Sequence, residues 1–135
     1  MYLFDTDTLS NIVKRMPSEK LLLRLRDLPM SLQYTTSINI GEIYYGACRT
    51  QRSDQIIIKA FEVHVFPNIT ILPFDKKSGK TFGRLKASLE KQGIGCSEPD
   101  LRIAAIAIQH DLILITGNVK HFADILGLNV ENWIE

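Results

Sequence analysis

Cysteine and histidine are scarce in this sequence, and their spacing excludes several kinds of site. The 135 residues contain two cysteines, Cys48 and Cys96, which lack the spacing of a zinc ligand set or a redox motif. Reduced thiols in a cytoplasmic protein are therefore expected rather than a disulfide framework. The three histidines, His64, His110 and His121, are scattered and unaccompanied by cysteine. No zinc or iron site is predicted.

A charge excess of one sign and long apolar runs are also lacking. Sixteen Lys and Arg residues and fifteen Asp and Glu residues give a formal net charge of +1, which neither predicts nor excludes a nucleic-acid partner. No apolar run approaches the roughly 20 residues of a membrane span, and residues 2–4 are interpreted as a strand rather than part of a signal peptide. A hydrophobic content of 45% predicts a globular protein, here one domain over residues 1–135.

Alternating apolar runs and amphipathic segments predict an α/β fold. In residues 98–122, the almost wholly apolar segment LRIAAIAI precedes the apolar run LILI, which is typical of a buried helix that leads into a strand buried on both faces. The pattern predicts strands at residues 2–4, 32–36, 69–72, 112–115 and 128–133, helices at residues 8–15, 18–27, 39–49, 53–66 and 76–91, a central helix opened by Ser97, Pro99 and Asp100, and a short helix or turn at residues 119–125. This alternation implies a three-layer α/β/α sandwich around a mainly parallel sheet of four to five strands.

Several polar residues fall at equivalent places in this layout. Asp5 ends the first strand, and Asn118 follows the fourth strand, with Thr116 beside it. Glu42 and Asp100 lie in the first turns of the helices that follow strand two and precede strand four. Because ligands in open α/β sheets collect beyond the carboxyl ends of the strands, these side chains are expected at one edge. Converging carboxylates repel unless protons or cations compensate them, and oxygen ligands suit Mg²⁺ or Mn²⁺.

Each of these residues also has a purely structural interpretation. Asp100 and Glu42 each stand three residues after a possible capping residue, so each can simply complete a capping box. Asn118 is typical of a turn. Asp5 is harder to explain in this way, because it precedes the residues expected to cap the first helix, Asp7 or Thr8. The shared location of these residues is therefore a stronger indication of function than any one of them.

The motifs, taken in order, resemble PIN-domain toxins of the VapC type. The resemblance is carried by DTDTL at residues 5–9, SINIGEIYYGA at residues 37–47, LPFD at residues 72–75, DLRIAA at residues 100–105, TGN at residues 116–118 with Phe122, and VENW at residues 130–133. It implies a PIN-like sandwich and a metal-dependent endoribonuclease in which Asp5, Glu42 and Asp100 hold Mg²⁺ or Mn²⁺. Asn118 and Thr116 would orient a water or a phosphate oxygen.

The resemblance also implies partners. These are an RNA substrate, a second copy of the chain in a homodimer, and a VapB-type antitoxin whose C-terminal segment covers the acidic cleft. Apolar arcs at Leu21, Leu22, Leu25 and residues 56–66 supply either partner contacts or core. The residues expected to neutralise RNA phosphates are Lys14, Arg15, Arg49, Arg52, Lys76, Lys80, Arg84, Lys120 and Arg102. Asp7 replaces the asparagine common in the family, and Glu98 is an alternative metal ligand.

Two other functions are consistent with the sequence. The segment FDTDTL at residues 4–9 matches the DxDxT signature of haloacid-dehalogenase-like phosphatases, with Asp5 as nucleophile and Asp7 as acid/base. Against this interpretation, the later lysine and paired aspartates are lacking, since the equivalent strand end reads GNVK at residues 117–120. The other alternative is a degenerate PIN module that binds RNA or a partner without cleavage.

Overall fold

One five-stranded parallel sheet forms the centre of the molecule. A computed structural model describes residues 1–50 and 54–135. The strands are β1 (Tyr2–Phe4), β2 (Gln33–Thr36), β3 (Thr70–Leu72), β4 (Ile113–Ile115) and β5 (Val130–Glu131), arranged in the order β3-β2-β1-β4-β5. All four neighbouring pairs are parallel, with Leu3 of β1 opposite Tyr34 on one side and Leu114 on the other. The predicted parallel α/β architecture is confirmed.

Helices connect the strands. They are α1 (Thr6–Ile12), α2 (Glu19–Arg26), α3 (Ser37–Cys48), α4 (Asp54–Ala60), α5 (Lys76–Lys91), α6 (Glu98–Gln109) and α7 (Val119–Phe122), with 3₁₀ turns at Met30–Leu32 and Phe66–Asn68. The helix predicted at residues 53–66 ends earlier, at Ala60, and a π-helical turn, Phe61–Val65, replaces its last part. Its predicted first residue, Ser53, lies outside the described residues. In the part of the chain that the structure describes, no helix is long and apolar enough to cross a membrane.

The first helix begins earlier than predicted. Strand β1 ends at Phe4, and the chain enters α1 at once, so Asp5 is the N-cap and its Oδ1 accepts a hydrogen bond from the backbone N–H of Thr6 at 2.9 Å. The prediction that Asp7 or Thr8 caps this helix is wrong, because no connecting residues separate the strand from the helix. Asp5 therefore stabilises the start of α1 as its capping residue, whatever else its carboxylate does.

The predicted capping box in α3 is also wrong. The N-cap is Thr36, the last residue of β2, whose hydroxyl accepts from the backbone N–H of Asn39 at 3.2 Å. Asn39 is thus inside the helix, and its side chain is available for other contacts. By contrast, Ser97 caps α6 as predicted, since its hydroxyl accepts from the backbone N–H of Asp100 at 3.3 Å.

The core lies on both faces of the sheet. Successive strand residues point to opposite sides, so Leu3 and Leu114 pack on one face while Phe4 and Ile115 pack on the other, all fully buried. Helix α6 covers the first face with residues that are buried nearly all round, as its apolar sequence predicted. The sheet is consequently packed on both faces where β1 and β4 end, which is the edge that carries the polar residues.

Truncation of α6 tests this arrangement. Ile106 is fully buried, and Ile106→Ala is expected to lower the free energy of unfolding by about 2–5 kcal/mol, because it leaves a cavity in the core. Leu126 is 82% exposed, so Leu126→Ala should change stability by less than about 0.5 kcal/mol. Urea unfolding of both variants measures the difference, and equal effects would contradict the central position of α6.

Candidate active site

An acidic cleft lies at the carboxyl edge of the sheet, where β1, β2 and β4 end. It has a volume of about 380 Å³ and is lined by Asp5, Thr6, Asp7, Glu42, Ser97, Pro99, Asp100, Asn118 and His121. The three carboxylates predicted to bind metal, and Asn118, thus lie in one cleft although they are far apart in the sequence.

Asp5 is the most buried of these acids, with 6% of its surface exposed. Its Oδ1 accepts hydrogen bonds from the Thr6 backbone and from Nδ2 of Asn39 at 3.0 Å, and its Oδ2 accepts from the Thr116 hydroxyl at 2.8 Å. The Thr116 side chain is fully buried. It therefore orients Asp5 from behind, which differs from the contact with water or phosphate that the sequence suggested.

The environment of Asp5 opposes its ionisation. Burial raises the pKa of the carboxyl from 3.8 to about 6, and the negative charges of Asp7 and Glu42 add to this rise. Hydrogen bonds from Thr116 and Thr6 lower the pKa but do not compensate. At neutral pH the folded protein consequently holds a charged carboxylate at a cost in free energy, which a cation in the cleft would offset.

The sequence pattern assigned Asn39 to helix capping, and the structure gives its side chain a different task. Its side chain is fully buried. Its Oδ1 accepts from the Thr36 hydroxyl at 2.6 Å, which turns the amide so that Nδ2 donates to both Asp5 Oδ1 and Thr6 Oγ1 at 3.0 Å. The available signal was its spacing from Glu42, because residues three apart in a helix share a face.

Asp7 also lines the cleft, and the loop after β4 holds its carboxylate. Asp7 Oδ2 accepts from the backbone N–H of Gly117 at 2.8 Å and from Nδ2 of Asn118 at 3.4 Å, while the Thr116 hydroxyl oxygen lies 3.3 Å from Oδ1. A Cβ atom at position 117 would lie 2.7 Å from Asp7 Oδ2, so a larger residue there would displace the Asp7 carboxylate. No local pattern in the sequence indicated this pairing between Asp7 and Gly117.

Glu98 is not among the residues that line the cleft. Its carboxylate forms ion pairs with Lys86 at 2.6 Å and with Arg102 at 3.2 Å, on an exposed surface. Of the two further acids that the sequence placed near the site, Asp7 therefore lines the cleft and Glu98 does not.

Glu42 and Asp100 are the other two acids that line the cleft. Glu42 Oε1 accepts from the Thr6 hydroxyl at 2.8 Å. Asp100 Oδ2 lies 3.5 Å from Nδ1 of His121, which itself lines the cleft. The contact with Asp100 therefore places the His121 side chain beside the acidic cleft.

The predicted RNA-contacting residues separate into groups. Lys14 and Arg49 line a cavity of about 580 Å³ that adjoins the cleft at Thr6 and Glu42. Arg15, Lys76, Lys80, Arg84 and Lys120 are exposed. Arg102 is less available, because it pairs with Glu98 and lies over the rings of Phe74 and Phe82. Arg52 lies outside the described residues.

The donors in the cleft fit a hard divalent cation. Within residues 1–50 and 54–135, no three His, Cys, Asp or Glu side chains form a ready-made metal cluster. However, Mg²⁺ is usually bound by one or two carboxylates together with waters and substrate phosphates rather than by a complete protein cage. Oxygen-only donors around a carboxylate that resists ionisation match that mode of binding.

Comparisons with known proteins identify the family. The PIN domain family matches residues 2–126. Ribonuclease VapC2 of Haemophilus influenzae is 33% identical over 98% of both chains. The tRNA(fMet)-specific endonuclease VapC of Salmonella typhimurium is 25% identical over 98% of this chain and 97% of its own length. A match to the PIN family over most of the chain leaves the phosphatase interpretation without support.

Solved structures extend the similarity to three dimensions. VapBC2 from Rickettsia felis, bound to a DNA fragment from the promoter, has a TM-score of 0.88 and 26% identity over 98% of both chains. VapBC-1 from nontypeable Haemophilus influenzae has a TM-score of 0.86 and 27% identity, covering 99% of this chain and 98% of that chain. The chain therefore belongs to the PIN-domain family, among the VapC ribonucleases.

Proposed function

We propose that this chain is a divalent-metal-dependent endoribonuclease and the toxin of a VapBC-type toxin–antitoxin pair. The observation that carries the proposal is the position of Asp5, a buried carboxylate with a raised pKa in a cleft that also contains Asp7, Glu42 and Asp100. A purely structural cluster of acids would be costly to retain. Relatives named as VapC ribonucleases support the same activity.

Asp5, Glu42 and Asp100 are the residues that would hold Mg²⁺ or Mn²⁺. When bound, the cation would supply positive charge to a phosphodiester oxygen and lower the pKa of a water that attacks phosphorus. The chain supplies the orientation of the acids. Thr116 and Asn39 fix the two oxygens of Asp5, and Thr6 fixes one oxygen of Glu42. Pre-set side chains of this kind lower the cost of assembling the site.

Basic residues on either side of the cleft are suited to hold the RNA backbone. Lys14 and Arg49 lie beyond Glu42, and Lys120 lies beyond Asp100. Each would neutralise a phosphate without reading a base, so these contacts position the RNA and make its binding dependent on salt. Asn118 at the rim of the cleft is the remaining candidate for contact with a phosphate oxygen or water.

A VapB-type antitoxin and a second copy of the chain are the proposed protein partners, and the cytoplasm is the proposed location. The solved neighbours are VapBC complexes. Of the apolar residues considered for such contacts, Leu21 and Phe61 are buried in the core, whereas Leu22, Ile56 and Val63 are 43%, 74% and 54% exposed. Of these residues, the exposed ones are available for apolar contact with a partner.

Substitution of Asp5 tests the electrostatic argument. Because the pKa of Asp5 is raised from 3.8 to about 6 in the folded state, its ionisation lowers stability as pH rises through this range. Asp5→Asn should therefore be more stable than wild type by about 1–3 kcal/mol above pH 6, and the difference should disappear as pH falls from about 6 to about 4. Thermal unfolding across pH in EDTA measures this. A less stable variant at pH 8 would contradict the assignment.

Metal removal and a ligand substitution test the enzymatic proposal. Purified protein is expected to cut total cellular RNA with Mn²⁺ but not with EDTA, and Asp100→Asn should lower the rate by at least about 100-fold, since it removes a proposed ligand. Asp111→Asn is the matched control, because Asp111 is exposed and lies outside the cleft.

The outcomes separate this proposal from a degenerate module. Cleavage that persists in EDTA would refute metal dependence, and full activity of Asp100→Asn would refute its role. A protein that binds Mn²⁺ in isothermal titration but cuts no RNA would refute the enzymatic assignment and favour the non-catalytic alternative.

Asp7 provides a separate prediction. Its carboxylate is engaged by Gly117 and Asn118, so Asp7→Asn should keep ribonuclease activity within about tenfold of wild type, with a modest loss from disturbed loop geometry. A phosphatase that used Asp7 as its acid/base would instead lose nearly all activity toward a phosphate monoester. Parallel assays with RNA and with a chromogenic phosphate monoester distinguish the two.

A further inference from the structure

A second cavity opens beside the acidic cleft on the side of Asp100. We call it the Lys120 pocket, and it is lined by Leu89, Ile94, Gly95, Lys120, Asp124 and Ile125. Ser97, Asp100 and His121 line both the pocket and the cleft, so the two spaces are adjacent. Its volume of about 350 Å³ falls within the range of pockets that bind small molecules.

The pocket combines an apolar floor with a charged rim. Leu89 and Ile125 are each only 5% exposed, and half-buried Ile94 completes the floor. Lys120 and Asp124 are exposed at the rim, and neither forms a hydrogen bond or ion pair with another of the described residues. An apolar base with one free cation and one free anion above it suits an aromatic ring that carries polar edges and a nearby phosphate.

We propose that the Lys120 pocket binds the base of the nucleotide adjacent to the cleaved phosphodiester. This inference rests on the proposed ribonuclease function, which puts an RNA phosphate in the acidic cleft, and the Lys120 pocket shares Ser97, Asp100 and His121 with that cleft. A splayed base then enters the pocket, where its ring contacts the apolar floor, and Lys120 neutralises a flanking phosphate. Single-stranded RNA is commonly read in this way.

Asp124 indicates which base fits best. An ionised carboxylate only accepts hydrogen bonds, and guanine presents two adjacent donors, N1–H and the amino group, in the arrangement that a carboxylate receives bidentately. Uracil offers one donor between two carbonyl oxygens, which a carboxylate repels. The expected order of binding is guanine first, adenine and cytosine next, and uracil last.

The pocket can be filled without disturbing the fold. A Cβ atom at Gly95 meets nothing within 4 Å, so Gly95→Leu should fold and place its side chain in the pocket. Gly83→Leu is the matched control, because Gly83 in α5 is equally open but lies outside the pocket. Lys120→Ala, with Lys77→Ala as its control, provides a second test in case Gly95→Leu does not fold, as judged by circular dichroism.

Binding is measured first, in EDTA so that nothing is cut. The probe is a short fluorescein-labelled single-stranded RNA pool of random sequence, followed by anisotropy. Gly95→Leu and Lys120→Ala are each expected to weaken binding by about tenfold, which is about 1.4 kcal/mol, whereas the two controls bind as wild type does. A second pool that lacks guanine should bind wild type more weakly than the first pool does.

Cleavage sites are then read with Mn²⁺ by sequencing the products of the same pool. Wild type should show guanine enriched and uracil depleted at one position next to the cut, and Asp124→Ala should lose this preference while it still cuts. Cleavage by wild type, together with unchanged binding and site preference in Gly95→Leu and Lys120→Ala, would overturn the pocket and leave the ribonuclease intact. Pocket-dependent binding without cleavage would overturn the ribonuclease and leave a base-binding site. A wild-type protein that neither binds nor cuts the RNA pool would overturn both proposals.

Discussion

The burial of one carboxylate, Asp5, at the end of the central strand is the constraint on which the rest of this structure depends. Its three hydrogen-bond donors come from α1, α3 and the residue after β4, so one side chain ties together both neighbours of β1. Charged groups are rarely buried unless they are paired or hydrogen-bonded. Here the hydrogen bonds hold the geometry but do not remove the electrostatic cost, since the pKa is still raised to about 6.

That uncompensated cost links the fold to the chemistry. The donors to Asp5 are fixed by main-chain elements and by the fully buried Asn39 and Thr116, so the carboxylate cannot turn away from its acidic neighbours. A neutral residue in place of Asp5 would make the folded protein more stable but would remove the attraction for a cation. Strain of this kind is expected at functional sites, where stability is given up for a pre-set arrangement of charges.

The architecture could be predicted from sequence because buried strands and helices contain recognisable runs of apolar residues. The run LILI and the apolar α6 indicate strands and a helix covered on both sides, and the order of strands and helices implies that Asp5, Glu42 and Asp100 share an edge. The helix starts were misjudged at Asp5 and Thr36, since capping patterns recur every few residues and cannot by themselves say where a strand ends.

The hydrogen bonds within the site could not be predicted from local sequence patterns. Asn39 and Thr116 reach Asp5 across 34 and 111 residues, and Gly117 meets Asp7 across 110. No periodicity or spacing encodes these pairs, because each depends on how two distant turns are placed by the finished sheet. Sequence reasoning therefore found which acids converge, but not which residues orient them.

The two outer strands have a consequence for how copies of this protein meet. β3 has three residues and β5 has two, so each margin of the sheet offers only a few unpaired backbone groups. Short margins are poor templates for intermolecular β-pairing. Association through added strands, and the fibrous polymers that can follow from it, is thereby disfavoured, and assembly is left to side-chain surfaces.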